Sequence, residues 1–152
     1  MERKEGEGWQ AVPGWLVLTL EAQAEEHYGA GRLDRAMTAY RRLIEMRPSA
    51  SQYWAMLGII HRRQGEVVAG LEALQRSVEL DANNRNGLVN LGEMLIGAGK
   101  VEEGVELLKV VFEMGYREDV SVEEQDMMTR RAGAQLAMME RLAREVMDRA
   151  EG

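Results

Sequence analysis

The 152-residue chain lacks cysteine and contains only two prolines and two histidines. Without cysteine there is no disulfide bond, no thiolate nucleophile and no thiolate metal ligand. Aromatic residues make up 5% of the chain, a level that argues against a β-sandwich or β-barrel. No apolar run approaches the roughly 20 residues that a membrane-spanning helix needs. What remains is a chain with 45% hydrophobic and 30% charged residues, which is typical of a globular helical protein.

The chain is acidic, with a formal net charge of -7 at pH 7. This charge disfavours nucleic acids and anionic membranes as partners, because their phosphate groups repel it. The most apolar segment near the start, residues 15–20, is too short for a secretory signal, and its flank is too acidic. We therefore expect a cytoplasmic protein that neither inserts into a membrane nor binds nucleic acid.

A repeat of 34 residues runs through the sequence. Gly31, Gly65 and Gly99 are 34 residues apart, and a small residue follows each of them after five positions. Another small residue precedes each glycine by seven positions. The aligned columns are Ala36, Gly70 and Gly104; Ala24, Gly58 and Gly92; Leu20, Trp54 and Leu88; and Tyr40, Leu74 and Leu108. Self-similarity at this period is typical of stacked helical repeats.

The periodicity predicts helix hairpins. A small residue on each helix lets the two backbones approach, large residues fill the layer beside them, and a glycine in the turn takes up the positive φ angle. Pro13 suits the first turn of the first helix, and Ser51 suits an N-cap position. The predicted hairpins pair residues 14–30 with 34–46, 51–64 with 67–80, and 85–98 with 101–114.

Residues 54–61 and 80–92 resemble the tetratricopeptide repeat family, and the resemblance extends over about residues 17–116. The proline that usually ends a repeat is present as Pro48 but replaced by Ala82 and Tyr116. The resemblance implies an all-α fold, a right-handed superhelix of three helix-turn-helix repeats followed by a capping helix. We expect a single domain. Its parts are an N-terminal lead-in over 1–13, repeats over 14–48, 51–82 and 85–116, and a C-terminal helix over 121–150.

The end of the chain has the pattern of one further amphipathic helix. Ser121 and Glu124 form a capping box, and apolar residues follow at three- and four-residue steps. The apolar residues are Met128, Ala132, Leu136, Met139, Ala143, Val146 and Ala150. The pattern predicts a helix over about residues 122–150 that covers the exposed end of the third repeat, because a repeat stack needs a terminal element with one polar face. A free coiled coil is the alternative.

Few side chains suggest catalysis or metal binding. His27 and His61 occupy equivalent positions of the repeat, where the resemblance implies a side chain packed between helices. No metal-ligand spacing, phosphate-binding glycine loop or zinc-protease motif accompanies them. Adjacent acidic residues such as Glu25 and Glu26 point about 100° apart on a helix and are expected to be solvated. The sequence therefore predicts a protein that is not an enzyme and holds no metal or other cofactor.

The resemblance implies that the first helix of each repeat lines a groove on the concave side of the superhelix, where a protein or peptide client binds. Transferred to this sequence, the groove positions are Glu21, Glu25, Tyr28, Gln52, Ala55, Met56, Ile59, Arg62, Arg63, Asn86, Val89, Asn90 and Glu93. Leu18 and Ile96 extend the same rows. The predicted wall is apolar in the middle, acidic at one end and basic at one rim.

The centre of this groove suits an extended segment with apolar side chains. Its apolar residues are Tyr28, Met56, Ile59 and Val89. Asn86 or Asn90 is expected to bond the backbone of such a segment. Glu21 and Glu25 occupy positions where family members that hold the acidic tails of heat-shock chaperones have lysine and asparagine, which argues against that activity.

The arrangement of lead-in, three repeats and closing helix resembles the bacterial chaperones of type III secretion translocator proteins. That resemblance implies a cytoplasmic protein that holds a stretch of its client in the groove and forms a homodimer through its N-terminal region. Trp9 and Trp15 are candidate dimer contacts. The alternative is a structural scaffold that self-associates through the ends of the stack. Light scattering distinguishes the two, since a scaffold forms large, concentration-dependent oligomers.

Overall fold

The computed structural model describes residues 12–151, and every regular element in this range is helical. The α-helices are α1 (Gly14–Gly29), α2 (Leu33–Met46), α3 (Ser51–Arg63), α4 (Val67–Leu80), α5 (Arg85–Gly97), α6 (Val101–Gly115) and α7 (Met127–Glu151). A short 3-10 helix, Val122–Glu124, precedes α7. The predicted all-α fold of three helix hairpins and a closing helix is confirmed, and α1 to α6 begin and end within one residue of their predicted positions.

Each hairpin turn is closed by a glycine of the 34-residue repeat. Gly31, Gly65 and Gly99 have φ angles of 72°, 78° and 85°, in the left-handed region that glycine adopts without strain. In the first turn the amide of Gly31 donates to the carbonyl of Tyr28 at 3.0 Å, and the amide of the next residue donates to the carbonyl of His27 at 2.8 Å. The other two turns repeat this pattern. The first helix of every hairpin therefore ends in a Schellman motif, which satisfies its last carbonyl groups.

The two helices of a hairpin touch where small residues face one another. A β-carbon added at Gly58 would lie 2.6 Å from Cγ of Leu74 and 3.0 Å from the carbonyl oxygen of Gly70. In the third hairpin, a β-carbon added at Gly92 would lie 3.0 Å from the carbonyl oxygen of Gly104. Neither space accepts a side chain, so glycine is required for the backbones to pack this closely.

Contacts divide the chain into two compact units, Met1–Asn84 and Arg85–Gly152. The first unit contains the first two hairpins, and the second contains the third hairpin and α7. The largest fully buried side chains of the first unit are Leu43, Ile60, Leu74 and Ser77. Those of the second unit are Val89, Leu108, Val111 and Thr129. Each unit thus has apolar core residues of its own, and the single domain expected from the sequence stays a prediction.

Ser51 does not cap α3, in contrast to the prediction from the sequence. It is the first helical residue, and the N-cap position belongs to Ala50, which makes no side-chain cap. The carbonyl of Ser51 accepts from Oγ of Ser77 at 2.9 Å, and its hydroxyl accepts from Nδ2 of Asn84 at 3.0 Å. Ser51 therefore ties the start of α3 to the end of α4 through contacts that are distant in sequence.

The closing helix begins later than predicted. Ser121 and Glu124 do form a capping box, but it caps the 3-10 helix. The backbone is then extended at Gln125, whose buried side chain accepts from the amide of Arg117 at 3.0 Å and donates to the carbonyl of the same residue. These bonds hold Gln125 outside the helix, so α7 starts only at Met127.

Asp126 caps α7 and ties it to α5. Its Oδ1 accepts from the amides of Met128 and Thr129 at 3.0 and 3.2 Å, as an N-cap carboxylate does. Its Oδ2 accepts from the hydroxyl of Thr129 at 2.6 Å and from Nη2 of Arg85 at 3.1 Å. The hydrogen bond from the Thr129 side chain, supported by Arg85, lowers the pKa of Asp126 to about 2. Asp126 is therefore charged at neutral pH.

Only the first half of α7 is packed. Thr129 and Ala132 are buried, whereas every residue over 140–151 is exposed. The reason is length, because α7 has 25 residues and α6, on which it packs, has 15. The predicted apolar stripe is accordingly covered only in its first part. Its exposed members are Ala143, Val146 and Ala150.

We expect Gly58→Ala to destabilise the chain by about 1 to 3 kcal/mol, because the added methyl group enters space held by Leu74 and the Gly70 carbonyl. Gly29→Ala is the matched control, since nothing lies within 4 Å of a β-carbon at that position. There, alanine should leave the free energy of unfolding unchanged or raise it by up to about 1 kcal/mol. Urea unfolding followed by circular dichroism measures both. Equal stabilities of the two variants would contradict the close backbone contact.

Replacing Asp126 tests the start of α7. Asp126→Ala removes the N-cap and should cost about 1 kcal/mol at pH 7, whereas Asp126→Asn keeps a capping oxygen and should cost less. The folded state lowers the pKa to about 2 from an ordinary value of 3.8, so the stabilisation by the carboxylate is complete above pH ~4 and is lost as the pH falls towards 2. The free energies of unfolding of wild type and Asp126→Ala should therefore converge in acid. A difference in free energy of unfolding that stays constant from neutral to acid pH would argue against a role for the charge of Asp126.

Candidate functional site

Helices α1 and α3 lie side by side and run in the same direction. The hydroxyl of Tyr53, near the start of α3, donates to a carboxylate oxygen of Glu21 on α1. Further along both helices, the guanidinium of Arg63 lies over the ring of Tyr28, 4.9 Å from the ring centre. These two contacts align the helices that carry the predicted binding positions of the first two repeats.

Most of these positions share one surface of the first unit, because residues three, four and seven positions apart lie on one side of a helix. We define the α1/α3 face as Glu21, Glu25, Tyr28, Gln52, Met56, Ile59 and Arg63. Its apolar residues are half-buried, and its charged residues Glu25 and Arg63 are exposed. The predicted Arg62 is exposed next to Arg63, and Leu18 continues the α1 row with 67% of its surface exposed.

Three predicted groove positions are buried instead. Asn90 is 3% exposed and its amide nitrogen donates to the carbonyl of Asn86, so it does not present this group to the backbone of a client as expected. Ala55 and Val89 are both 0% exposed, so neither side chain has surface left for a partner. Each lies three residues before a glycine, Gly58 or Gly92, against which the second helix of the hairpin packs. Residues three apart share one side of a helix, and that side is buried here.

Tyr53 and Tyr40 lie beneath the α1/α3 face. Their ring centres are 6.5 Å apart, and the residues are 2% and 4% exposed. Burial raises the pKa of both to about 12, and at Tyr53 the hydrogen bond to Glu21 adds to this effect. Both hydroxyls therefore stay protonated at physiological pH. The Tyr53 hydroxyl therefore remains a hydrogen-bond donor to Glu21 at this pH and holds its carboxylate in place.

In the second unit, the predicted positions on α5 meet a residue of α7. Arg131 donates from Nε to Oε1 of Glu93 at 2.6 Å and from Nη2 to Oδ1 of Asn90 at 3.1 Å. Asn90 in turn donates to the carbonyl of Asn86 at 2.8 Å. The Glu93 side chain is 7% exposed, so Arg131 neutralises a carboxylate that solvent hardly reaches. Asn86 and Arg131 keep part of their surface accessible.

Sequence reasoning does not find Arg131, because it treats the closing helix as a cap alone. One signal is available, since Arg131 follows Met128 of the apolar stripe by three positions and therefore lies at the edge of the packed side of α7. The identity of that partner depends on how α7 packs on α5, which the local sequence does not contain.

The two histidines have structural partners. His61 is buried and hydrogen-bonds a carboxylate oxygen of Glu66, and Nδ1 of His27 accepts from Nε of Arg32 at 3.0 Å. Within residues 12–151, no three side chains of histidine, aspartate or glutamate gather as a metal site would require.

Two further features bear on predicted partners. None of the helices over residues 12–151 combines the length and apolarity needed to cross a membrane. Trp15, a predicted dimer contact, is 66% exposed on α1. Trp9, the other predicted contact, lies outside the described residues.

Part of this arrangement matches a known repeat. Residues 21–85 match the model of the tetratricopeptide repeat. No curated protein sequence matches the chain. Among solved structures it is similar to the type III secretion chaperone SycD of Yersinia enterocolitica in complex with a peptide of the translocator YopD, with a TM-score of 0.72 and 15% identity over 86% of this chain and 96% of SycD.

Two more solved structures have a similar fold. PcrH in complex with the chaperone-binding region of PopD gives a TM-score of 0.72 and 18% identity, over 89% of this chain and 97% of PcrH. The first TPR of Spaghetti (RPAP3), bound to the HSP90 peptide SRMEEVD, gives 0.71 and 15%, over 87% of this chain and 96% of that one. Identities this low establish a shared fold and leave the ligand open.

The family match and the geometry agree. The matched segment spans the first two hairpins, and the third hairpin repeats their glycine turn and their close backbone contact. The chain therefore has the fold of tetratricopeptide repeat proteins, and its first two hairpins match the model of that repeat.

Proposed function

We propose that this chain is a non-catalytic binding protein that holds an extended segment of a partner protein on the α1/α3 face. The observation that carries the proposal is the pattern of this face. Partly accessible apolar side chains lie between an exposed acid on α1, Glu25, and exposed arginines at the end of α3, Arg62 and Arg63. A surface with an apolar centre and a charged rim suits a peptide with apolar side chains.

The chemistry of binding follows from burial. Tyr28, Met56 and Ile59 are half-buried, so their positions are fixed while part of each side chain stays open to contact. A segment lying across them gains about 25 cal/mol for each Å² of apolar surface that it buries. Gln52 is exposed, and its amide can donate to and accept from the segment's backbone. The Tyr53 hydrogen bond organises the face before binding, which reduces the entropy that binding costs.

The charges on the face favour some clients over others. Glu21 and Glu25 put two carboxylates on the α1 side, where an acidic peptide such as SRMEEVD would meet repulsion. An apolar segment with a basic residue at its α1 end avoids this repulsion and gains an ion pair with Glu25. We therefore propose a client segment of that kind rather than an acidic chaperone tail.

The finer assignment that we propose is a cytoplasmic bacterial chaperone of a type III secretion translocator. Its support is the similarity in fold to SycD and PcrH over most of each chain, together with their solved complexes with YopD and PopD segments. Trp15 is the candidate contact for a homodimer through the N-terminal region, since a large exposed aromatic side chain gains most from being covered.

Peptide selection by phage display, followed by fluorescence anisotropy on the full chain, tests the α1/α3 face. Enriched peptides should carry apolar residues and a basic end. We expect Met56→Glu and Glu25→Lys to weaken their binding by about tenfold or more, because the first places a charge in the apolar centre and the second repels the basic end of the peptide.

Val68→Glu is the matched control for Met56→Glu. Val68 lies on α4 and is 71% exposed, so this variant adds the same charge elsewhere and should bind like wild type. Circular dichroism checks the fold of Met56→Glu, and the exposed Glu25 supplies a second variant that leaves the core intact. Unchanged affinity in both face variants, or equal loss in Val68→Glu, would refute the assignment.

A further inference from the structure

Helix α7 has the position of the first helix of a fourth hairpin. Helix α3 packs on α2 and runs parallel to α1. Helix α7 likewise packs on α6 and contacts α5, and the start of α7 lies near the start of α5. Arg85 bonds Asp126 there, and Glu93 bonds Arg131 one to two turns further on. In the first three hairpins the second helix then covers the first, but over residues 12–151 no eighth α-helix covers α7.

The uncovered side of α7 forms an open groove with α6, of about 640 Å³. We define the α6/α7 groove by its apolar lining residues, Val101, Val105, Phe112, Leu136, Met139 and Ala143. Ala137 and Gly133 also line it, and a smaller cavity of about 370 Å³ shares Gly133 and Phe112 with it. A groove lined by apolar side chains and small residues has the shape that accepts the ridge of another helix.

The small residues of α7 match the points at which the other hairpins accept a helix. Gly58 and Gly92 are the eighth residues of α3 and α5, and each is covered by a leucine of the following helix, Leu74 or Leu108. The eighth residue of α7 is Ala134, which is small and exposed. The place where a leucine of a second helix would pack is therefore open.

The border of the groove on α6 is acidic. Glu102, Glu106 and Glu113 each follow a lining residue by one position, so they form a row beside the apolar lining. Lys109 also lines the groove, and its charge is paired with Glu106 at 2.7 Å. Glu102 and Glu113 have no ion-pair partner among the residues that the structure describes. A helix with basic residues beside its apolar stripe complements this border.

The exposed part of α7 itself is a poorer occupant. Residues 140–151 contain four acids and three arginines, so the same segment of a second copy would bring a net charge of about -1 to an acidic border. Opposite charges attract across an interface and like charges select against a partner. The charges therefore favour a different protein.

We infer that the α6/α7 groove binds an amphipathic helix of a partner protein, one with a leucine-type apolar stripe and lysine or arginine beside it. The bound helix takes the position relative to α7 that the second helix of a hairpin has relative to the first. Its apolar residues pack against Phe112 in the groove and against Ala134 in the adjoining smaller cavity, and its cations pair with Glu102 and Glu113. This surface lies in the second unit and uses none of the residues of the α1/α3 face.

A designed helix of about 16 residues, with leucines at three- and four-residue steps and lysines on both sides of the stripe, is the probe. Its twin has glutamate in place of lysine. Fluorescence anisotropy of labelled peptide with the full chain gives both dissociation constants. We expect the lysine helix to bind about tenfold more tightly than its twin. Ala137→Glu, a change at an exposed lining residue, should weaken the lysine helix about tenfold by placing a charge in the apolar groove.

Two double variants distinguish binding at the groove from a general electrostatic attraction between the lysine helix and an acidic chain. Glu102→Lys combined with Glu113→Lys should weaken the lysine helix about fivefold. Glu45→Lys combined with Glu72→Lys makes the same change of net charge at exposed sites of the first unit and should weaken it less. Circular dichroism confirms that each variant keeps its helix content.

Three results would overturn the inference. The first is equal affinity for the lysine and glutamate helices, and the second is wild-type affinity in Ala137→Glu. The third is equal weakening by the two charge variants, which would assign the attraction to net charge alone. Light scattering supplies one more test. If the wild-type chain is a dimer and Ala137→Glu is a monomer, a second copy of the chain occupies the groove, and the assignment to a partner helix is wrong.

Discussion

The structure depends on one steric constraint, the contact between two helix backbones at the middle of a hairpin. At Gly58 the facing helix brings the Gly70 carbonyl and the Leu74 side chain so near that no β-carbon fits. This contact fixes how closely α4 packs on α3. Within the same unit, the contacts of Glu21 with Tyr53 and of Tyr28 with Arg63 align α1 with α3.

The 34-residue period predicts the helices, the glycine turns and the glycine contacts because all three depend on spacing and steric fit within one repeat. It does not predict exposure where packing between helices decides it. Ala55 and Val89 look like surface positions in a repeat alignment, yet both are fully buried. The bond from Arg131 to Glu93 was also beyond prediction, since it depends on a contact between residues far apart in sequence. Asp126 caps α7 through local bonds to Met128 and Thr129, but the capping box at Ser121 led to a predicted helix start that is too early.

Helix α7 is positioned by polar contacts with α5 as well as by packing on α6. Asp126 and Arg131 join it to α5 through directional hydrogen bonds with charged partners, while much of its apolar side stays uncovered in the α6/α7 groove. Fixing a helix in this way leaves its apolar surface available. The chain thus offers two different surfaces, the α1/α3 face for an extended segment and the α6/α7 groove for a helix.

The claim with most consequence is that a client segment lies on the α1/α3 face. Chemical-shift mapping by NMR, with the isotope-labelled full chain and a peptide enriched on it, measures this directly. We predict that the amide signals of α1 and α3 shift, with Tyr28 and Ile59 among them, while those around Val68 on α4 stay in place. Shifts confined to α4 or to the α6/α7 groove, or no shifts with the peptide in excess, would contradict it.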